Sequence, residues 1–390
     1  MVLTSTINAA VPARLAPPMH SDIELESLPV PVQRVLSKEA PGPVKLMAAR
    51  GVLPGAKPGD IVTVVSVLAG SEDAKLAEVA RATLSKLPAP ILQGALTADL
   101  PGSVIAELAR AYPNQHEVVT ALLRMPRIGS PALEAMADAA DERAGELIAT
   151  NEELMLKNPT VIEKLYMNKR VRMSTADRLV ELAVRHNLEL NIPAFAEAAQ
   201  AIKNELILEA AEEPYFDDVL FKEANQLGEQ LKIDEQNPDT HEVDEEGEEK
   251  PKQECVPLYA KLAQMTVSQK IRAATLGSAG ERLILVRDPN RLVATAAVKS
   301  PLMRENEAAQ ISASRTVSDD VLRQIALNRE FTRSYQVRIN LVMNPRTPLT
   351  FATRFVPHLR DSDLRVLSKS KNVSAAIAQL VRQQLSRKEK

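Results

Sequence analysis

The strongest chemical signal in the sequence is a group of arginines in its last third. Residues 257–390 carry 23 Lys and Arg against 10 Asp and Glu, a formal charge of +13. Guanidinium groups pair with carboxylates and phosphates through two parallel hydrogen bonds, so this composition predicts a surface for an anionic partner. The arginines that we expect to form this surface are Arg282, Arg287, Arg291, Arg315, Arg329, Arg333, Arg338, Arg346 and Arg354.

An acidic segment comes directly before the basic region. Residues 233–256 carry 10 Asp and Glu against 2 Lys, a formal −8, and residues 1–232 carry 31 against 23, also −8. The net charge of −3 for the whole chain hides this contrast. Because the two regions are adjacent and opposite in charge, we hypothesise that the acidic segment docks on the basic one until a partner displaces it.

Other residue types give no catalytic pattern. None of the five histidines has a second metal ligand three or four positions away on a helix face, so we expect no metal and no cofactor. Cys255, the single cysteine, has no base beside it in the sequence. The turn Gly277–Gly280 lacks the Gly-Lys-Ser/Thr that completes a phosphate-binding loop. We therefore expect a protein that is not an enzyme.

The overall composition favours helices. Glycine accounts for 13 of 390 residues and aromatic residues for 3%, while Ala, Leu, Glu and Arg are abundant, which favours helix over sheet. No apolar run is long enough to cross a membrane, and the first residues lack the pattern of a signal peptide. With one cysteine in the chain, these features predict a cytoplasmic protein without a membrane span.

The apolar residues recur at helical spacing in short segments that end at Pro, Asn, Ser or Asp. In Lys75–Leu87, for example, Leu76, Ala80 and Leu84 share one face. A helix this short is unstable alone and must bury its apolar face against the next one. Stacking the helices in order gives a superhelix whose contacts join near neighbours. The alternative is an irregular globular helical bundle.

Three stretches resemble known helical repeats. AGSEDAKLAEVARATLSKLP (69–88) resembles the second half of a HEAT repeat. LVMNPRTPLTFATRFVPHL (341–359) and MLKNPTVIEKLYMN (155–168) resemble units of the leucine-rich-repeat-variant family, in which Asn-Pro separates paired short helices. The resemblance implies an all-α fold, an irregular right-handed α-solenoid of short helix pairs in two blocks joined by the acidic linker.

These observations divide the chain into four predicted parts. We expect a disordered leader at 1–40, a helical-repeat domain at 41–232, an acidic disordered linker at 233–256 and a basic helical-repeat domain at 257–390.

Two functions fit this organisation. The first is a non-enzymatic scaffold or adaptor that binds a protein partner and uses its basic domain for an anionic surface. The alternative is a nucleic-acid-binding helical-repeat protein that contacts its ligand through residues 257–390, including an enzyme of DNA-glycosylase type. A steep loss of affinity with salt would distinguish nucleic-acid binding.

Overall fold

The computed structural model describes residues 22–37, 39–203, 205–231, 233–234, 238–243, 249–370 and 373–388. This part of the chain is α-helical apart from one pair of short strands, which confirms the all-α class. The chain divides into two compact units, Met1–Ile148 and Ala149–Lys390, called unit 1 and unit 2.

Unit 1 contains helices of 7 to 12 residues. They are α1 (Val30–Leu36), α2 (Gly42–Ala49), α3 (Pro58–Ala69), α4 (Ala74–Leu84), α5 (Ala89–Leu96), α6 (Gly102–Ala111), α7 (His116–Leu123), α8 (Ser130–Ala139) and α9 (Glu142–Ala149), whose last residue begins unit 2. A 3-10 helix at Leu25–Ser27 precedes them.

Unit 2 continues with short helices and a hairpin of two strands. The helices are α10 (Glu152–Lys157), α11 (Pro159–Met167), α12 (Met173–Arg185), α13 (Phe195–Ile202), α14 (Phe216–Gln230), α15 (Val256–Gln264), α16 (Val267–Leu276), α17 (Ala279–Leu285), α18 (Arg291–Lys299), α19 (Glu305–Ala313), α20 (Asp319–Leu327), α21 (Tyr335–Met343), α22 (Leu349–Phe355), α23 (Asp361–Lys369) and α24 (Ala375–Lys388). The strands are β1 (His241–Val243) and β2 (Glu249–Pro251), which pair antiparallel with Glu242 opposite Lys250. Further 3-10 helices cover Gln253–Cys255, Phe331–Arg333 and Val356–His358.

The helix boundaries follow from capping chemistry. Pro58 and Pro159 begin α3 and α11, where the missing N–H costs no intrahelical hydrogen bond. The Asp73 side chain accepts hydrogen bonds from the first turn of α4, and Asn290 caps α18 in the same way. The predicted punctuation by Pro, Asn and Asp therefore marks real helix ends.

In unit 1, helices that are two apart in sequence pack together. α3 packs against α1 and α5 as well as its neighbour α4, α2 packs against α4, and α6 packs against α8. The contacts are aliphatic: Val62, Val64 and Val65 of α3 are fully buried. Burial of such side chains supplies the stability that the isolated helices lack.

Tyr112 fastens the end of α6 to the preceding pair of helices. Its hydroxyl donates a hydrogen bond to the Leu84 carbonyl at 2.7 Å and accepts one from the Leu87 N–H at 3.0 Å. Burial raises the pKa of Tyr112, so the hydroxyl keeps its proton.

We expect Tyr112→Phe to lower the free energy of unfolding by about 2 kcal/mol, because two buried backbone groups lose their partner. Urea denaturation followed by circular dichroism measures the change. Tyr259→Phe is the matched control, since Tyr259 is 48% exposed, and it should leave stability unchanged. Equal effects of the two substitutions would contradict the role given to the Tyr112 hydroxyl.

In unit 2 the helices α16 to α21 form two layers. α16, α18 and α20 pack in succession in one layer, and α17, α19 and α21 in the other. Successive turns therefore lie alternately on two edges. We call the turns 288–290, 314–317 and 344–347 edge A, and the turns 277–278, 300–304, 328–334 and 359–360 edge B.

Side chains link the turns within each edge. On edge A, the Asn344 amide donates to the Ser312 and Ser314 carbonyls at 2.9 and 2.7 Å. On edge B, the Ser300 hydroxyl donates to the Thr275 carbonyl at 2.7 Å. The small polar residues at the turns thus hold neighbouring helix pairs in register.

Arg272 of α16 joins this layered region to the start of unit 2. It is fully buried, and its guanidinium donates to the carbonyls of Tyr166, Asn168, Val171 and Arg172 at 2.9 to 3.2 Å. The rings of Tyr166 and Phe221 lie 5.5 and 5.1 Å from the guanidinium carbon. The turn between α11 and α12 therefore wraps around the Arg272 side chain. We call this set of contacts the Arg272 clasp.

The unit boundary differs from the predicted one. Residues 149–232 belong to the same compact unit as 257–390, so the predicted domain 41–232 is divided at 148/149. Contacts that are distant in sequence are the reason: the Arg272 clasp, and α13, which packs against α16 and α18.

The two predicted disordered segments also differ from the structure where it describes them. Residues 1–21 of the leader lie outside the described residues, but Val30–Leu36 forms α1 and buries Val32 and Val35. The described part of 233–256 contains β1, β2 and a 3-10 helix, because contacts with the basic helices hold it.

Candidate functional site

The carboxylate of Glu249, in β2, is bound by residues of edge A and by Arg287, which follows the C-terminal end of α17. Its oxygens accept hydrogen bonds from Arg287 Nε at 3.1 Å, Ser314 Oγ at 2.8 Å and Thr316 Oγ1 at 2.9 Å. The backbone N–H of Arg315 adds a fourth donor at 3.1 Å. We call these four donors the carboxylate cradle. Glu249 of the acidic segment is therefore in contact with the basic helices, and its displacement by a partner stays a prediction.

The cradle favours an ionised carboxylate. Burial would raise the pKa of Glu249, but the hydrogen bond from Ser314, the charge of Arg287 and the hydrogen bond from Thr316 outweigh it, so this pKa lies below its usual value. Arg287 is well shielded, with 11% of its side chain exposed. Charge-assisted hydrogen bonds in such a setting are stronger than those at an open surface.

Asp239 anchors the strand that pairs with β2, and His241 is a buried residue of that strand. Asp239 accepts a hydrogen bond from Gln310 Nε2 of α19 at 2.7 Å and forms an ion pair with Lys252 at 3.2 Å. His241 is buried, and burial together with the charge of Arg287 lowers its pKa to about 4. The imidazole is therefore neutral at physiological pH, with Nδ1 2.8 Å from Thr240 Oγ1.

A cavity of about 360 Å³ lies beside the cradle and is lined by His241, Glu249, Tyr259, Lys270 and Arg287, among others. Its charged groups are already paired, since Lys270 lies 3.1 Å from Asp288 and Arg287 binds Glu249. The cavity is therefore lined by charged groups that are paired with one another.

Arg282 is buried and Arg287 is partly buried, which corrects their assignment to an open binding surface. Arg282 is 4% exposed, and its guanidinium donates to both carboxylate oxygens of Glu307 at 2.9 and 2.7 Å and to the Gly277 carbonyl. Arg287 lies in the cradle. Helical spacing alone reveals neither partner, because Glu307 and Glu249 lie 25 and 38 residues away.

The exposed arginines divide between the two edges instead of forming one ridge. On edge A, Arg315 and Arg346 are exposed, and Arg346 Nη1 lies 3.4 Å from the carbonyls of Thr316 and Val317. On edge B, Arg329 and Arg333 are exposed. Because successive turns alternate between the edges, Arg315 and Arg346 lie on the same edge and Arg329 lies on the other.

The remaining predicted arginines lie elsewhere on the unit. Arg291, on α18, forms an ion pair with Asp320 at 2.9 Å while its side chain stays 73% exposed. Arg354 is exposed on α22. Arg338 is half-buried, with its guanidinium carbon 5.7 Å from the centre of the Tyr335 ring.

Tyr335 on edge B is covered by arginines. The guanidinium of Arg360 lies 4.5 Å from the ring centre, and the Tyr335 hydroxyl donates to Asp363 and accepts from the Arg360 N–H. The nearby rings of Phe331 and Phe355 are buried. The two phenylalanines therefore belong to the core, while Tyr335 is partly buried beneath its arginines in cation–π contacts.

A second cavity of about 360 Å³ lies beside the Gly277–Gly280 turn and is lined by Lys169, Ser278 and Arg304, among others. Behind the turn, the fully buried Glu281 accepts a hydrogen bond from the Ser278 N–H at 2.6 Å. Burial raises the pKa of Glu281 to about 7. The Ser278 hydroxyl accepts a hydrogen bond from the Glu281 N–H, so this pair forms a helix-capping box.

A pair of carboxyl groups, the buried Asp177 and the partly buried Glu205, lies near the Arg272 clasp and was not apparent from the sequence. Ser268 Oγ lies 2.6 Å from Glu205 Oε2 and 3.3 Å from Asp177 Oδ2. Burial, followed by the negative charge of Glu205, raises the pKa of Asp177 well above its usual value. Asp177 and Glu205 are 28 residues apart, so only the fold brings them together.

The described residues contain no group of three or more His, Cys, Asp or Glu side chains that could hold a metal ion. Likewise, no helix in the described ranges combines the length and the hydropathy of a membrane span. No family model matches this chain, and no curated protein or solved structure does either.

The small polar members of the cradle were missed in the sequence. Ser314 and Thr316 carry no charge and stand in a turn, where hydroxyl residues are common. A signal that could have found them is their position directly beside Arg315, on the turn that faces the acidic segment.

Proposed function

We propose that this protein is a non-enzymatic helical-repeat scaffold, a right-handed α-solenoid of short HEAT-like helix pairs, that binds an acidic protein partner through unit 2. The packing of helices two apart, in both units, supports the repeat architecture. The single observation that carries the binding proposal is the carboxylate of Glu249 bound on edge A. This surface already recognises one acidic side chain.

The exposed arginines extend that recognition beyond the cradle. Arg315 and Arg346 stand next to the bound carboxylate on edge A, and Arg329 and Arg333 provide a second basic area on edge B. Exposed charges of this kind steer an oppositely charged partner and add specificity. The covered ring of Tyr335 favours an acidic protein over single-stranded nucleic acid.

The test measures binding of a fluorescein-labelled peptide of ten glutamates by fluorescence anisotropy. We expect Arg315→Glu with Arg346→Glu, or Arg329→Glu with Arg333→Glu, to weaken binding about tenfold, because a charge reversal replaces attraction by repulsion. The matched control reverses two exposed arginines of unit 1, Arg34 and Arg124, and should change the affinity less than about twofold.

Unchanged affinity in both edge variants would overturn the proposal. A labelled 20-base-pair DNA duplex distinguishes the alternative function. Tight duplex binding that falls steeply with salt, together with weak binding of the glutamate peptide, would show a nucleic-acid-binding protein instead.

A further inference from the structure

Contacts outside the hairpin help to hold the carboxylate cradle in place. Three of its four donors come from the turn 314–316, which the Asn344 amide holds through the Ser312 and Ser314 carbonyls. The fourth donor, Arg287, is fixed by its own Nη1, which donates to the Leu283 carbonyl at 2.6 Å. Because these contacts do not involve the hairpin, the donors are positioned before a carboxylate arrives.

The donors match a carboxylate. Oε1 of Glu249 accepts from the Arg315 N–H, and Oε2 accepts from Arg287 Nε and the Thr316 hydroxyl. The Ser314 hydroxyl lies 2.8 Å from both oxygens, so its one proton is shared between them. An empty cradle would leave polar groups without partners, and Ser314 itself is 7% exposed. The set of donors therefore favours an acidic side chain.

The present occupant is held by a small element. β1 and β2 have three residues each, and in the described part of the chain they form a sheet of two strands. An isolated two-stranded hairpin is marginally stable in water. Its advantage over an external ligand is its covalent connection, which raises its effective concentration at the cradle.

We propose that the cradle is a recognition site for a glutamate in an extended acidic peptide, and that Glu249 is its intramolecular occupant. A glutamate of the acidic partner replaces Glu249, while neighbouring carboxylates of the partner contact Arg315 and Arg346. The charge of the occupying segment supports this choice of ligand, since residues 233–256 carry a formal −8. The inference rests on the proposed function and specifies one binding site within it.

The experiment supplies the chain's own segment as a separate peptide. A fluorescein-labelled peptide of residues 238–252 (PDTHEVDEEGEEKPK) is titrated with the full chain carrying Glu249→Gln or Glu249→Ala. Alanine leaves the cradle empty, and glutamine turns an NH2 donor toward a site that offers only donors, so we expect both variants to bind the peptide at least tenfold more tightly than the unaltered chain. The two substitutions differ in shape, and circular dichroism checks that each variant is folded.

Two controls assign the binding to the cradle. The peptide with Glu249→Ala should bind the variants at least tenfold more weakly than the unaltered peptide. Adding Ser314→Ala and Thr316→Val to the Glu249→Gln chain should abolish the gain. Equal binding by the unaltered and the Glu249 variant chains, or binding that ignores Glu249 in the peptide, would overturn the inference.

The experiment on the cradle and the test of the proposed function can fail independently of each other. If the ten-glutamate peptide depends on the exposed arginines but the 238–252 peptide shows no gain with Glu249→Gln, the scaffold function stands and the cradle is a structural contact. If the 238–252 peptide shows the gain while charge reversal leaves the ten-glutamate peptide unaffected, the cradle stands and the wider basic surface does not.

Discussion

Replacing Arg272 with leucine is expected to lower the free energy of unfolding of unit 2 by about 4 kcal/mol. Four carbonyl groups between residues 166 and 172 accept hydrogen bonds from this one guanidinium. Leucine fills part of the space but leaves these groups without a donor in a buried site. The cation–π contacts with Tyr166 and Phe221 are lost as well.

Urea denaturation followed by circular dichroism measures this loss of stability. Two further variants show whether it comes from the hydrogen bonds of the guanidinium group. Arg272→Lys keeps the positive charge but lacks the planar fork, so we expect it to recover less than half of the lost stability. Arg323→Leu removes an exposed arginine from α20 and should change stability by less than about 0.5 kcal/mol. A small effect of Arg272→Leu, similar to that of Arg323→Leu, would show that the clasp does not stabilise the unit.

Glu281→Gln is expected to remove a pH-dependent loss of stability. The pKa of Glu281 rises from 4.5 to about 7 because burial outweighs the hydrogen bonds from Ser278 and the charges of Lys169 and Arg282. The folded state thus binds this proton more tightly than the unfolded state does. The free energy of unfolding therefore falls as pH rises through this interval, by about 3 kcal/mol, and is level above it.

The measurement compares urea denaturation of the unaltered and Glu281→Gln chains from pH 4.5 to pH 8. Glutamine keeps an acceptor for the Ser278 N–H but has no proton to lose, so the variant should be more stable at pH 8 by about 3 kcal/mol. Glu330→Gln changes an exposed carboxyl and should leave the pH profile parallel to that of the unaltered chain. Parallel profiles for Glu281→Gln would contradict the raised pKa.

Gly228 explains how α14 comes so close to this carboxyl. A Cβ at that position would lie 2.6 Å from both Glu281 Oε2 and Ser278 Oγ, so no other residue fits without displacing the capping box. The sequence shows an isolated glycine within a helix, which indicates a packing requirement but does not identify the partner.

Local chemistry made the helices predictable. Proline, asparagine and aspartate at the ends of short apolar segments predicted the all-α class, because these residues act on the nearest turn alone. Partnerships distant in sequence were not predictable. The change of charge near residue 233 suggested a domain boundary there, whereas packing of α13 against α16 and the Arg272 clasp place residues 149–232 in unit 2.

The candidate site was predictable only in its charge. The opposite charges of 233–256 and 257–390 indicated that one would contact the other, and Glu249 does so. The sequence did not show that Arg282 would form a buried ion pair with Glu307, because ion pairing depends on which helices become neighbours. It also did not show that Arg315 and Arg346 share an edge while Arg329 lies on the other, since this follows from the alternation of the turns.

The clasp around Arg272 also sets an order of events during synthesis on the ribosome. The Asn168 carbonyl and the Arg272 guanidinium are 104 residues apart, so at ~5–20 residues per second the acceptors wait roughly 5 to 20 seconds for their donor. Throughout this delay the nascent α11–α13 segment lacks both the arginine and α16, and its apolar faces stay open to chaperones. The early helices of unit 2 therefore finish folding only after translation has passed α16.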